Sequence, residues 1–168
     1  MLRVFLERIR SPVGEMIVGT DQEGALRLVD FADYEARMRK LLDRQYGKGK
    51  VALEEARKAS QATHALARYF KGDLGAIEKL EVVHGGTAFQ RKVWKALRAI
   101  PAGRTTSYGA LAKKLGFPQA ARAVGLANGA NPIAIVVPCH RVVGANGSLT
   151  GYGGGMHRKE WLLKHESR

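Results

Sequence analysis

The apolar positions of this chain change their period along its length. Over the first thirty residues they alternate: Leu2 to Ile9 imperfectly, Glu15 to Thr20 as a short run, and Gly24 to Phe31 with Leu26, Leu28 and Asp30 opposed to Arg27, Val29 and Phe31. Side chains two apart share one face of a strand, so these runs, with a turn at Ser11-Pro12-Val13-Gly14, predict a small antiparallel sheet. From Asp33 to Tyr46 the period lengthens. Tyr34, Met38, Leu41 and Leu42 predict a helix that Gly47-Lys48-Gly49-Lys50 ends, and a second helix is expected over Ser60 to Phe70 with Gly72 as its stop.

Gly72, Gly75 and Gly85-Gly86 bracket a short extended piece and mark a boundary, giving predicted domains 1–84 and 85–168. The second domain reads as mainly helical. Thr87-Ala88-Phe89-Gln90 fits a capping box, and the helix it opens carries Phe89, Val93, Trp94, Leu97 and Ile100 as a buried stripe opposite Arg91, Lys92, Lys95 and Arg98. Ser107 is placed to cap a short helix that Gly116 ends, and Pro118 starts another through Asn128. Two short helices joined by a glycine-containing turn fit a helix-turn-helix. Asn146-Gly147 between Val142-Val143 and Leu149-Thr150 predicts a hairpin, which would serve as a wing. A last helix begins near Arg158 with Trp161, Leu162 and His165 close to one side.

Charge changes this picture. The formal net charge is +13, and it is unevenly spread: residues 1–84 carry 15 Lys and Arg against 13 Asp and Glu, residues 85–168 carry 13 against 2, and no acid lies between Glu81 and Glu160. A merely soluble surface mixes both signs. Exclusion of acid over so long a stretch points to a polyanionic partner, most economically DNA or RNA. Membrane is the weaker fit, because this half shows no basic amphipathic helix and no apolar run spans a bilayer. The charged amino terminus has no signal-peptide core, so a soluble, cytoplasmic protein is expected.

Candidate chemistry centres on Pro138-Cys139-His140-Arg141, after the apolar run Ile133 to Val137. Cys139 is the only cysteine, so it has no disulfide partner and no second thiol for metal ligation within the chain. An isolated cysteine is ordinarily a small buried hydrophobe. Here a histidine and an arginine follow it, and both favour the thiolate, the reactive form. On a strand, however, His140 would point away from Cys139 and act through a water or a bend. The helix after Pro118 is unusual: Ala120, Ala121, Ala123, Gly125, Ala127 and Gly129 leave Arg122 as its only long charged side chain, which suits close approach to a nucleic-acid groove. Gly151-Tyr152-Gly153-Gly154-Gly155 lacks the lysine and hydroxyl of a phosphate cradle and reads as a flap. His64 and His84 stand at no metal-ligand spacing, and Glu166, near the end of the sequence, would ordinarily be exposed and idle.

Taken in order, Ala120 to Gly125, Asn131-Pro132, Ile133 to Val143 and Arg158 to Leu163 with His165-Glu166 resemble the O6-alkylguanine-DNA alkyltransferases, with weaker likeness at Ser11 to Gly14 and Tyr69 to Gly72. The resemblance is to the bacterial stand-alone type, without the zinc site some members carry. It implies an amino-terminal ribonuclease-H-like α/β domain and a carboxy-terminal winged helix-turn-helix domain. It implies binding to the minor groove of duplex DNA, flipping of an alkylated guanine, and irreversible transfer of the alkyl group to Cys139, once per molecule; O4-alkylthymine is a second possible donor. No cofactor or metal is needed, and a monomer is expected off DNA. By the same resemblance His140 is the water-linked base, Glu166 orients it, Tyr108 hydrogen-bonds the departing guanine, and Asn131 ties the recognition helix to the cysteine segment. Arg122 is the finger, with Ala121, Gly125, Asn128 and Tyr108 also facing DNA. Ala134 and Gly153 depart from the family's pocket pattern. A winged-helix regulator with an inert thiol is the alternative.

Overall fold

The computed structural model describes residues 1–167; Arg168, the last residue of the second predicted domain, lies outside them. The chain divides into two compact units, Met1–Gly86 and Thr87–Arg168. No helix among the described residues is long and apolar enough to cross a membrane.

The first unit is built on a four-stranded sheet whose strands lie in the order 26–31, 16–20, 2–9, 51–55. β1 (Leu2–Ile9), β2 (Met16–Thr20) and β3 (Leu26–Phe31) form the antiparallel meander that alternation predicts. The fourth strand corrects the all-antiparallel expectation: β4 (Val51–Glu55) lies parallel to β1, with Leu2 opposite Val51. Between β3 and β4 runs α1 (Glu35–Tyr46), entered through a 3-10 turn at Ala32–Tyr34, which supplies the long crossover a parallel pair requires. Met38 and Leu42 of α1 pack with Val4, Ile17 and Leu28 of the sheet. Gly19 permits the closeness of this packing, since a Cβ there would lie 2.7 Å from Val4 Cγ1 and 2.8 Å from Leu28 Cγ. α2 (Gln61–Phe70) starts at Ser60, whose hydroxyl accepts from the Thr63 amide and donates to Glu7.

The second unit is mainly helical. α3 (Ala88–Arg98) opens with the expected capping box between Thr87 and Gln90 and buries Val93, Trp94 and Leu97. β5 (Thr106–Ser107) leads into α4 (Tyr108–Lys114), capped by Ser107. α5 (Ala121–Gly129) begins three residues later than Pro118 suggested, because residues 117–120 close a turn through Ala120 N–H to the Phe117 carbonyl. Trp94 Nε1 donates to the Ala127 carbonyl at 2.8 Å, pinning α5 to α3. α6 (Met156–Glu166) is the last helix among the described residues.

The predicted wing is not a ladder. Residues 144–148 close as a turn, with Gly144 N–H on the Ser148 carbonyl and Gly147 at φ 79°, but β6 (Val142–Val143) pairs in parallel with β5 and not with Leu149-Thr150. The carbonyls of Val142 and Thr150 are both taken instead by the Lys159 ammonium of α6, at 2.6 and 2.9 Å.

Candidate active site

Eleven consecutive residues, 131–141, reach the interior together although they form no regular strand. Two asparagines replace the missing ladder. Asn131 Nδ2 donates to the carbonyls of Val137 at 2.8 Å and Ile133 at 3.2 Å while its Oδ1 accepts from Ile133 N–H at 3.0 Å. Asn128, one helical turn earlier, donates from Nδ2 to the Cys139 carbonyl at 3.2 Å. Ile135 turns at φ 70°, a sterically costly conformation for a β-branched residue, and tight turns join Val136 N–H to Ala134 and Cys139 N–H to Val137.

Cys139, His140 and Arg141 then form one 3-10 turn, all buried. This revises the strand geometry expected of the tetrapeptide. Neighbouring side chains on a three-residue turn are about 120° apart and not on opposite faces. His140 Nε2 lies 2.9 Å from Glu166 Oε2, and Arg141 grips the same carboxylate with Nε at 2.8 Å from Oε1 and Nη2 at 2.8 Å from Oε2. Arg141 Nη1 also donates to the Ile100 carbonyl at 2.7 Å. The Glu166 side chain is 1 % exposed, so a carboxylate that would ordinarily be exposed and idle is the centre of a buried cluster.

The charges follow from these contacts. Burial alone would raise the Glu166 carboxyl, but hydrogen bonds from Arg141 and His140 outweigh it and hold the group well below the usual carboxylate range. Burial pushes the His140 imidazole below its ordinary value; Glu166 resists this, while the cations Arg141 and Lys159 add to it. His140 is therefore neutral at neutral pH. An ionised carboxylate only accepts, so the single ring proton sits on Nε2 and points at Glu166, which leaves Nδ1 as a lone-pair acceptor. That Nδ1 is buried and has no hydrogen-bond partner among the described residues.

Residues 88–168 match the family model described as 6-O-methylguanine DNA methyltransferase, DNA binding domain. The methylated-DNA–protein-cysteine methyltransferase of Salmonella typhimurium is 52 % identical over 166 residues, which covers 99 % of this chain and 97 % of that one. The chain belongs to the methylated-DNA–protein-cysteine methyltransferase family. The crystal structure of Mycobacterium tuberculosis O6-methylguanine methyltransferase superposes with a TM-score of 0.77 at 42 % identity, covering 98 % of this chain and 93 % of that one. That of the M. tuberculosis OGT in complex with DNA does so at 0.71 and 38 %, covering 99 % and 92 %.

Of the residues singled out in the sequence of this family member, Cys139 and His140 share one buried turn with Glu166 against it, while Asn131 donates to the Ile133 and Val137 carbonyls and the tie from α5 to the cysteine segment is made by Asn128. Tyr108 opens α4, where its phenol oxygen accepts from Thr150 Oγ1 at 3.3 Å, and the backbone at Gly125 backs the ring: a Cβ there would meet Tyr108 Cδ1 at 3.7 Å. Arg122 is exposed on α5 and Ala121 and Gly125 are partly so, whereas Asn128 is buried against Cys139 and does not share that open face.

One residue escaped sequence reasoning. Lys159 is fully buried, its ammonium on the Val142 and Thr150 carbonyls. Burial depresses its basicity, and Cys139, within electrostatic reach, opposes that shift. A signal was present: Arg158, Lys159, Leu162, His165 and Glu166 fall on the inward stripe of α6, and only one of the five is apolar.

Proposed function

We propose that this protein repairs DNA by taking an alkyl group from O6-alkylguanine onto Cys139. The observation that carries the reading is the buried His140–Glu166–Arg141 cluster next to the only thiol, with an imidazole lone pair held ready at Nδ1. The Cys139 proton passes, through one water, to Nδ1, and the imidazolium that forms is stabilised by Glu166. The thiolate, with the Lys159 charge nearby, attacks the alkyl carbon. The S–C bond forms as the C–O6 bond breaks, its electron pair leaves on guanine, and a hydrogen bond from Tyr108 stabilises that developing charge. A thioether is not cleaved by thiols, so each molecule reacts once, and no diffusible cofactor enters because the lesion is the donor.

The same reading assigns residues 1–84 to a ribonuclease-H-like α/β domain and 85–168 to a helix-turn-helix domain that binds DNA and accepts the alkyl group. The acid-poor composition and the family model over 88–168 support the second assignment. Cys139 is buried, so a base within a duplex must leave the stack to reach it. Arg122 on the small-residue face of α5 enters the minor groove and fills the gap, and the protein acts as a monomer off DNA. Incubation with O6-methylguanine duplex, intact mass and peptide mapping test the proposal. One methyl per molecule on Cys139 is expected; repeated turnover or a methyl on another residue would sink it.

A further inference from the structure

Leu126 is 72 % exposed, the most open large apolar side chain of the chain after Met1. It lies on α5 four residues after Arg122, and residues four apart on a helix are stacked neighbours. The rest of that outward face is small: Ala123 and Gly129 are exposed and Ala130 half so. Arg122 and Leu126 are thus two side chains projecting side by side from an otherwise smooth helix.

The charge of the unit selects the occupant. A second copy of this chain would bring another carboxy-terminal half with 13 basic and 2 acidic residues against the first, so self-association through this face is opposed. A duplex is attracted by the same charge. Reading a major groove takes several long polar side chains that pair with base edges, and this face offers one. The minor groove instead presents sugar C–H surface and base steps that apolar side chains wedge against.

We propose that Leu126 is a second groove-entering side chain, an apolar contact that lies against the deoxyribose wall beside the base step where Arg122 inserts. This inference rests on α5 being the DNA-facing helix, as proposed above. Leu126 supplies affinity through apolar burial, and therefore without displacing counterions. That separates it from every basic residue on the surface, each of which contributes to the salt dependence of binding.

The test is a salt series of dissociation constants for an unmodified duplex, by fluorescence anisotropy, on the native protein, Leu126→Ala and Leu126→Ser. Because Leu126 is exposed, both variants should melt as the native protein does. Affinity should fall about five- to tenfold at every salt concentration, the loss expected if roughly half of the leucine side chain is buried against the sugar wall, with the slope of log K against log salt unchanged. Transfer from free O6-methylguanine should also be unchanged. Unaltered affinity, or a loss that appears only as a shallower slope, would overturn the proposal, as would native self-association that the variants abolish. Failure of the function itself is read separately: a native protein that binds duplex but never alkylates Cys139 overturns the transfer mechanism while the salt series still decides the role of Leu126.

Discussion

Glu166→Gln exchanges one carboxylate oxygen for an amide nitrogen where Oε1 accepts from Arg141 Nε and Oε2 accepts from both Arg141 Nη2 and His140 Nε2. If the amide NH2 takes the Oε1 position, it faces the Arg141 Nε–H, donor against donor. If it takes the Oε2 position, it faces Arg141 Nη2–H and His140 Nε2–H, and the second conflict clears only when the ring proton moves to Nδ1. Either way a buried guanidinium loses its counter-charge, and breaking a buried pair by removing one partner costs about 3–5 kcal/mol. The second orientation also abolishes the Nδ1 lone pair. A positioned base contributes roughly 10²–10⁴ in rate, and an imidazole held in the wrong tautomer forfeits that contribution. We expect urea unfolding at neutral pH to show the stability loss, and rapid-quench transfer from saturating O6-methylguanine duplex to be slower by about 10²-fold or more. Affinity for duplex should be unchanged, because Glu166 is buried and the outer face of α5 is untouched. A variant within about 1 kcal/mol of native stability and about threefold of native rate would refute the reasoning.

Arg122→Ala should leave transfer from duplex slow even at saturating DNA, while transfer from free O6-methylguanine is barely changed, because only the flipped state needs its gap filled; equal slowing on both substrates in single-turnover assays would exclude the finger role. Lys159→Met removes the cation within electrostatic reach of Cys139 and should raise the thiol pKa, read from the pH dependence of alkylation by a small reagent; an unshifted profile contradicts that influence. Burial holds the folded His140 value below the ordinary 6.5, so as pH falls through 6.5 the unfolded chain gains the proton first and stability declines from there. His140→Asn should lack that part of the decline, the other four histidines cancelling in the difference; parallel stability curves between pH 7 and about 5.5 would refute it. Glu166 adds a second decline below about 4.5, where the unfolded carboxyl takes a proton that the folded one refuses.

What was legible in the sequence was whatever rests on short-range rules. The meander of the first unit, the capping box at Thr87 and the helix stripe through Trp94 obey local periodicity, and the structure keeps them. β4 was not legible: Val-Ala-Leu-Glu-Glu has the composition of a helix, and only the parallel pairing with β1 makes it a strand. The wing is a related case. Asn146-Gly147 specifies a turn and the turn forms, but the carbonyls its arms would offer to each other belong to an ammonium from a helix that follows later in the chain.

The cysteine segment shows the same competition within one site. Ile133 to Val137 is rich in β-branched residues and forms no strand, because Asn131 occupies the carbonyls at both ends of the run and Ile135 breaks its line at φ 70°. The bend is what places Cys139 at the head of a 3-10 turn and sends His140 and Arg141 toward the one carboxylate on the inward stripe of α6. Asn128 then joins the Cys139 carbonyl to the helix whose opposite face carries Arg122 and Leu126. One hydrogen bond thus links α5 directly to the backbone of Cys139. Residue types and spacing named the participants in this linkage. The hydrogen bonds that make it a linkage join residues 11 and 26 apart, beyond the reach of any local pattern.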